Sequence, residues 1–296
     1  MRPKSGGRCE REVRFLIFAV NLLQSGDSVA MLPVNSHMMA YDMEGEGVTL
    51  VFIHQVATDR RLWHHQRSSF YRRYRMITLD VMGHGEVAWP SQEFSLERAA
   101  RHVQKLLERL KSGPAFVIGV SMGAAIAMRI ALNDPLQVYG LILISPWSHT
   151  SEHTRSLVDR LFRLAEAGDM SSHTDLFLRY VLPIKYFERH SSEVEYLRAL
   201  AMEQDAKAVA YTWAACMASD LKDRLRDIRP PSLVITGLND LFTPPYLARA
   251  VADGLSEVEL EVWEETGHFP FFEEPSRFNR RLEMFIRRCL AQSNSE

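Results

Sequence analysis

The chain is poor in cysteine, in charge of one sign and in long apolar runs. Its three cysteines, Cys9, Cys216 and Cys289, lie far apart in 296 residues. They make no metal-ligand or redox spacing, which excludes a disulfide framework and a thiolate metal centre. So sparse a set reads as reduced thiols in a cytoplasmic protein. A formal net charge of -2 offers no global attraction to nucleic acid or to an anionic membrane surface. No run approaches the roughly 20 apolar residues of a spanning helix, so no stable membrane insertion is expected. A phosphate-cradling G-x-x-x-x-G-K-[ST] loop is missing, as is a G-x-G-x-x-G after a strand, which disfavours nucleotide chemistry. No cofactor is expected, and no pattern specifies an oligomeric state. Function must reside in a local site that takes a small-molecule substrate.

What is present is a rhythm of short apolar runs and longer amphipathic segments. Val48–Ile53, Arg75–Leu79, Ala115–Ile118, Leu141–Ile144 and Ser232–Thr236 are apolar on both faces, as strands buried on each side should be. Val258–Trp263 alternates and suits a strand nearer the sheet edge. Between them, Ser95–Leu110, Met122–Leu132, Pro245–Val251 and Arg277–Leu290 carry helical spacing. The fold class this predicts is α/β: a mostly parallel central sheet with helices on both faces. From 147 to 227 the rhythm breaks into helical stripes (Leu157, Leu161, Leu164; Leu176, Tyr180, Val181; Ala201–Ser219) without a strand. This segment is expected to be a helical cap inserted into a core made of 36–146 and 228–296. Residues 1–35 read as an extension, disordered or loosely packed, with Met31 a candidate start of the globular part. Arg8, Arg11 and Arg14 before the apolar Phe15–Leu23, with Ser28-Val29-Ala30 after, form a weak signal-like pattern that would imply secretion. Glu10, Glu12 and Asn21 weaken it.

One segment carries chemistry. Gly119-Val120-Ser121-Met122-Gly123 matches G-x-S-x-G, with a buried strand before it and an alanine-rich helix after it, as that motif requires. A serine at a sharp strand-to-helix turn exposes its hydroxyl above the sheet, and the flanking glycines let the backbones pass. The Met122 N–H, opening the helix, is placed to stabilise an oxyanion. A serine hydroxyl needs a base, and the base an orienting acid. Hydrolases of this kind order them serine, acid, histidine along the chain. Asp240 follows one predicted strand and His268 the last, both in loops at strand carboxyl ends, where α/β sheets place ligands.

With these residues the sequence resembles the α/β-hydrolase superfamily from about Ser36 to the last helix. Ile53-His54-Gln55-Val56-Ala57-Thr58-Asp59, with Trp63, looks like its oxyanion loop, and the resemblance makes the Val56 N–H the second oxyanion donor beside Met122. Asp80-Val81-Met82-Gly83-His84-Gly85 and Gly267-His268-Phe269-Pro270 are similar to two further family turns. Thr58-Asp59, Trp63 and Ala214-Ala215-Cys216 through Asp220-Leu221 loosely resemble 3-oxoadipate enol-lactonases and related small-substrate esterases. Gln55 departs from the family's usual glycine, so its side chain should enter the pocket or distort the loop. Glu86-Val87 replaces a small polar residue. The expected activity is hydrolysis of a small ester or lactone by Ser121, His268 and Asp240 through an acyl-enzyme. Gln55, Trp147 and Phe269 are expected to contact substrate. Two alternatives use the same residues: a catalytically weak ligand receptor or scaffold, and C–C or thioester hydrolysis.

Other patterns compete less well. His149-Thr150-Ser151-Glu152-His153 fits H-x-x-E-H, yet a helix is only beginning there and a zinc site needs a third ligand. No metal is expected. His64, His65 and His84 read as structural or pocket-lining. Glu273 and Glu274 are reserve candidates for the acid, better suited to a helix start.

Overall fold

The structure, a computed structural model, describes residues 30–34, 37–88 and 94–293. The signal-like stretch and Cys9 lie outside the described residues. Eight strands form one sheet in the order β1-β2-β4-β3-β5-β6-β7-β8. They are β1 (Ala30–Val34), β2 (His37–Glu44), β3 (Thr49–Ile53), β4 (Arg75–Leu79), β5 (Ala115–Val120), β6 (Val138–Ile144), β7 (Ser232–Gly237) and β8 (Val258–Trp263). The ladder is parallel from β4 to β8; β2 runs antiparallel to both β1 and β4. Every residue of β3, β5 and β7 is buried, which is why these strands read as unbroken apolar runs. β8 is half-buried along most of its length and lies at the sheet edge, as its alternation predicts.

One boundary changes. The extension assigned to 1–35 includes strand β1, paired in register with β2. Only Val34 of its five residues is buried, so hydrophobic periodicity carries almost no trace of it.

The described residues also form three short 3-10 helices and eleven α-helices: α1 (His64–Phe70), α2 (Leu96–Arg109), α3 (Met122–Asn133), α4 (Glu152–Glu166), α5 (Met170–Val181), α6 (Ile184–Arg189), α7 (Ser191–Met202), α8 (Ala206–Met217), α9 (Pro245–Gly254), α10 (Pro270–Glu273) and α11 (Pro275–Ser293). They cover both faces of the sheet. The Ser95 hydroxyl caps α2 by accepting the Arg98 N–H, the interaction its capping pattern predicts. Helices α4 to α8 all lie between β6 and β7. The stripe read from Ala201 to Ser219 is two helices, because Glu203-Gln204-Asp205 interrupts it and Asp205 caps α8. Among the described residues no helix is long and apolar enough to cross a membrane.

Candidate active site

At the carboxyl end of β5 the backbone turns through Ser121, which has φ 54 and ψ -113. A non-glycine residue in this region is strained by about 1–3 kcal/mol and persists only where its surroundings over-determine it. The surroundings here are two glycines. A Cβ on Gly119 would stand 2.2 Å from the Gly123 carbonyl oxygen, and one on Gly123 would stand 2.1 Å from that of Ile53. The helix therefore closes directly onto β5 and β3, and only hydrogen side chains fit. The Ser121 N–H is held by the Ile144 carbonyl at 2.9 Å. Met122 opens α3, so its N–H has no acceptor within the helix.

The loop after β7 builds an acceptor cup from Asp240. Its Oδ1 accepts the Phe242 and Thr243 N–H groups, each at 2.9 Å. Its Oδ2 accepts the Thr243 hydroxyl at 2.8 Å and lies 2.7 Å from His268 Nδ1. Both side chains are fully buried. In the neutral ring, a carboxylate facing Nδ1 places the proton on that nitrogen and the lone pair on Nε2. Nε2 is buried and makes no hydrogen bond among the described residues. The rings of Phe177, Phe242 and Phe269 enclose the imidazole at 5.1–6.4 Å.

The helical segment fastens both loops. Tyr180 and Val181, in the last turn of α5, present carbonyls that lack helical partners. They accept the N–H groups of Leu241 (3.0 Å) and His268 (2.7 Å). Ser145, after β6, donates its hydroxyl to the His268 carbonyl at 2.9 Å. Glu273 braces the other side: its carboxylate accepts the N–H of Gly267 and of Phe269, at 2.9 and 3.0 Å. Burial pushes this half-buried carboxyl up to about 8. Glu273 is thus not an acid facing His268 but lies in the first turn of α10, as a helix-start residue should, and braces the two peptides flanking His268. Glu274 pairs with Arg277.

Val56, Ser121, Trp147, Trp213, Phe242 and Thr243 line one cavity. This brings together the predicted nucleophile, one predicted oxyanion donor and one predicted substrate contact. Gln55 and Phe269, also predicted contacts, line a smaller neighbouring cavity instead. Thr243 joins the site as a residue that neither the motifs nor the strand ends single out. Its signal was the Asp-x-x-Thr spacing of an Asx-type turn, which sets the hydroxyl on the Asp240 carboxylate. Cys216 also lines the larger cavity, and burial pushes its thiol up to about 12, so it stays protonated.

The loop after β3 is tied down by His54. The Val81 N–H can only donate, so His54 Nε2 accepts it at 2.9 Å. Nδ1–H therefore donates to the Gln55 carbonyl at 2.7 Å. Burial lowers this imidazole to about 4 and keeps it neutral. Ala57, at φ 58, turns the chain back after Val56. Gln204, in the break between α7 and α8, donates to Asp59 at 3.1 Å and accepts the Gly85 N–H at 2.8 Å. Burial pushes the Asp59 carboxyl up, but the Arg61 fork more than reverses this and holds it below its ordinary range. His84 is buried against His54, with ring centroids 5.2 Å apart.

His149 precedes α4, bonded to the Ser148 hydroxyl at 3.1 Å, whereas Glu152 begins the helix. Among the described residues no group of three His, Cys, Asp or Glu side chains could hold a metal ion.

Comparison with known proteins agrees with this architecture. Residues 48–275 match the family described as alpha/beta hydrolase fold. A protein of Mycobacterium tuberculosis named "Putative non-heme bromoperoxidase BpoC" is 31% identical over 265 residues, covering 84% of this chain and 97% of its own. The solved structure of Est816, described as an N-acyl homoserine lactone degrading enzyme, superposes with a TM-score of 0.76 at 28% identity. It covers 86% of this chain and 100% of its own. The enol-lactonase of Burkholderia xenovorans LB400 shares the fold with a TM-score of 0.83 at 22% identity, over 87% of this chain and 100% of its own.

Proposed function

Because this chain belongs to the α/β-hydrolase family, we propose that it is a serine hydrolase cleaving a small-molecule ester or lactone with Ser121, His268 and Asp240. The observation that carries this reading is the buried Asp240–His268 contact at 2.7 Å, which orients the imidazole and leaves Nε2 without a hydrogen-bond partner among the described residues. Ser121 sits on a strained turn and lines a cavity with Val56 and Trp147; no hydrogen bond joins it to His268 Nε2 among the described residues. His268 Nε2 takes the Ser121 proton as Oγ attacks the carbonyl carbon. The carbonyl π electrons move to oxygen, which the N–H groups of Val56 and Met122 hold. Collapse expels the alcohol, which receives the proton from His268, and leaves Ser121 acylated. His268 then deprotonates a water that attacks the acyl-enzyme, and the proton returns to Ser121 on release of the acid. Asp240 fixes the tautomer throughout. Trp147 and Trp213 form apolar walls beside the reacting carbonyl.

The test is a panel of p-nitrophenyl esters of rising acyl length, assayed with the parent and with Ser121→Ala. The variant should lose roughly 10⁴-fold or more of kcat/KM. Equal rates would remove Ser121 from the reaction. A ligand receptor on this fold would instead bind ester without steady turnover.

A further inference from the structure

Three buried polar side chains that the proposed reaction does not use converge on the smaller cavity. Gln55 comes from the loop after β3, and His173 and Thr174 from α5. Each is at most 2% exposed. Gln55 Oε1, His173 Nδ1 and Thr174 Oγ1 all lack a hydrogen-bond partner among the described residues. Buried polar atoms are rarely left so, and three around one space mark it as built for a polar guest.

The chemistry of that guest follows from the proton positions. The Trp213 indole can only donate, and its Nε1 lies 2.8 Å from His173 Nε2. Nε2 is therefore an acceptor, and Nδ1 carries the proton. Burial lowers this imidazole to about 4, so it is neutral near pH 7. The cavity thus presents one N–H donor, one amide acceptor and one hydroxyl that can act either way. No Asp, Glu, Lys or Arg lines it; the other walls are aliphatic or aromatic apart from Thr58, whose hydroxyl is bonded to the Gln55 carbonyl. A carboxylate or ammonium would enter without a counter-charge and lose its hydration. With Gln55 Oε1 turned inward, a ketone oxygen would leave that acceptor unmatched. A hydroxyl satisfies both ends, accepting from His173 and donating to Gln55. Its size also fits: the space is about 10 Å³, room for the centre of one water-sized group.

The two cavities share a wall. Trp213, bonded to His173, lines the Ser121 cavity, and Phe177, which lines the smaller one, packs edge-on against Trp213 and Phe242. Gln55 and Val56 are adjacent in the chain, one facing each cavity. Resting on the hydrolase reading above, we propose that this cavity receives a neutral hydroxyl group that the substrate carries close to its scissile carbonyl. His173 Nδ1–H and Gln55 Oε1 are its direct partners, and Thr174 completes the ring. The substrate class is then an ester or lactone that carries a neutral hydroxyl near its scissile carbonyl.

The test compares p-nitrophenyl 3-hydroxybutyrate with p-nitrophenyl butyrate on the parent, Gln55→Leu and Thr174→Val. The parent should favour the hydroxy ester by roughly tenfold or more in kcat/KM, and both variants should bring that ratio towards one. A purely structural role would move both esters together and leave the ratio alone. A parent ratio near one, or a ratio unchanged in both variants, overturns the proposal: the cavity would then hold water only. A binding arm separates this from failure of the hydrolase reading. On Ser121→Ala, 3-hydroxybutyramide should bind at least tenfold more tightly than butyramide by calorimetry. Equal binding defeats the hydroxyl site whatever the ester kinetics. Lack of turnover of either ester by the parent, with the binding preference intact, defeats only the hydrolase reading.

Discussion

The Thr243 hydroxyl lies 2.8 Å from Asp240 Oδ2 and 3.0 Å from His268 Nδ1, so it touches both members of the proposed acid–base pair. Hydrogen bonds to a charged acceptor contribute about 1.5–3 kcal/mol. Thr243→Val keeps the shape but removes the donor, leaving Asp240 to His268 and two backbone N–H groups. The imidazole orientation should loosen without being lost, and kcat should fall by about 10- to 100-fold. Asp240→Asn is harsher, because an amide can donate to Nδ1 and so reverse the tautomer. Its expected loss is about 10⁴-fold in kcat. Steady-state kinetics on one p-nitrophenyl ester, with circular dichroism as a folding control, checks the order. Thr243→Val matching Asp240→Asn would show that the threonine holds the loop rather than tuning the carboxylate.

At the scale of elements, the close seat of α3 on the sheet governs whether Ser121 and the loop after β3 can share a cavity. Gly123→Ala puts a Cβ against the Ile53 and His54 carbonyls, both backbone atoms that cannot rotate away. Overpacking of this kind costs about 1–3 kcal/mol, so the melting temperature should drop by several degrees. Esterase activity should fall further than stability alone explains, since the Val56 N–H moves with that loop. A variant with the parent's melting temperature and activity would contradict the close seat. The same packing explains which elements the sequence discloses. β3, β5 and β7 are legible because a strand covered on both faces has no polar side to show, and Ser121 and Asp240 stand out as candidates because each follows such a strand; His268 follows the half-buried edge strand β8 and is marked instead by its place after the last strand. β1 is illegible because it buries only Val34. The α7–α8 break hides in an alanine-rich stripe, although Gln204 within it ties Asp59 to Gly85. Gln55, His173 and Thr174 meet only through the docking of α5 on the core, a juxtaposition no local spacing encodes.

For the whole molecule, the placement of ionisable groups sets a pH optimum of stability. Burial lowers His54 and His173 to about 4 and His64 and His84 to about 3, from an ordinary value near 6.5. A histidine lowered in the fold contributes stability that is present above its unfolded pKa and is lost as the pH falls towards its folded one. Two carboxyls act with the opposite sign. Burial raises Glu273 to about 8, and burial with the nearby Asp59 charge raises Asp80 to about 7. Their contribution is present in acid and is lost as pH rises through those values. Between about pH 6.5 and 4.5 the four histidines outweigh the two carboxyls, so unfolding takes up about two protons net. Stability should then decline by up to about 3 kcal/mol per pH unit on acidification. Between about pH 7 and 8 the carboxyls act alone and stability should decline more gently on alkalinisation. Melting temperatures measured from pH 4.5 to 8.5 should therefore peak near pH 6.5–7, with the steeper limb on the acid side. Glu273→Gln should flatten the alkaline limb while leaving the acid limb steep. A peak below pH 5.5 would mean that these histidines are protonated inside the fold, and the neutral His54 that ties Gln55 to Val81 would have to be abandoned with it.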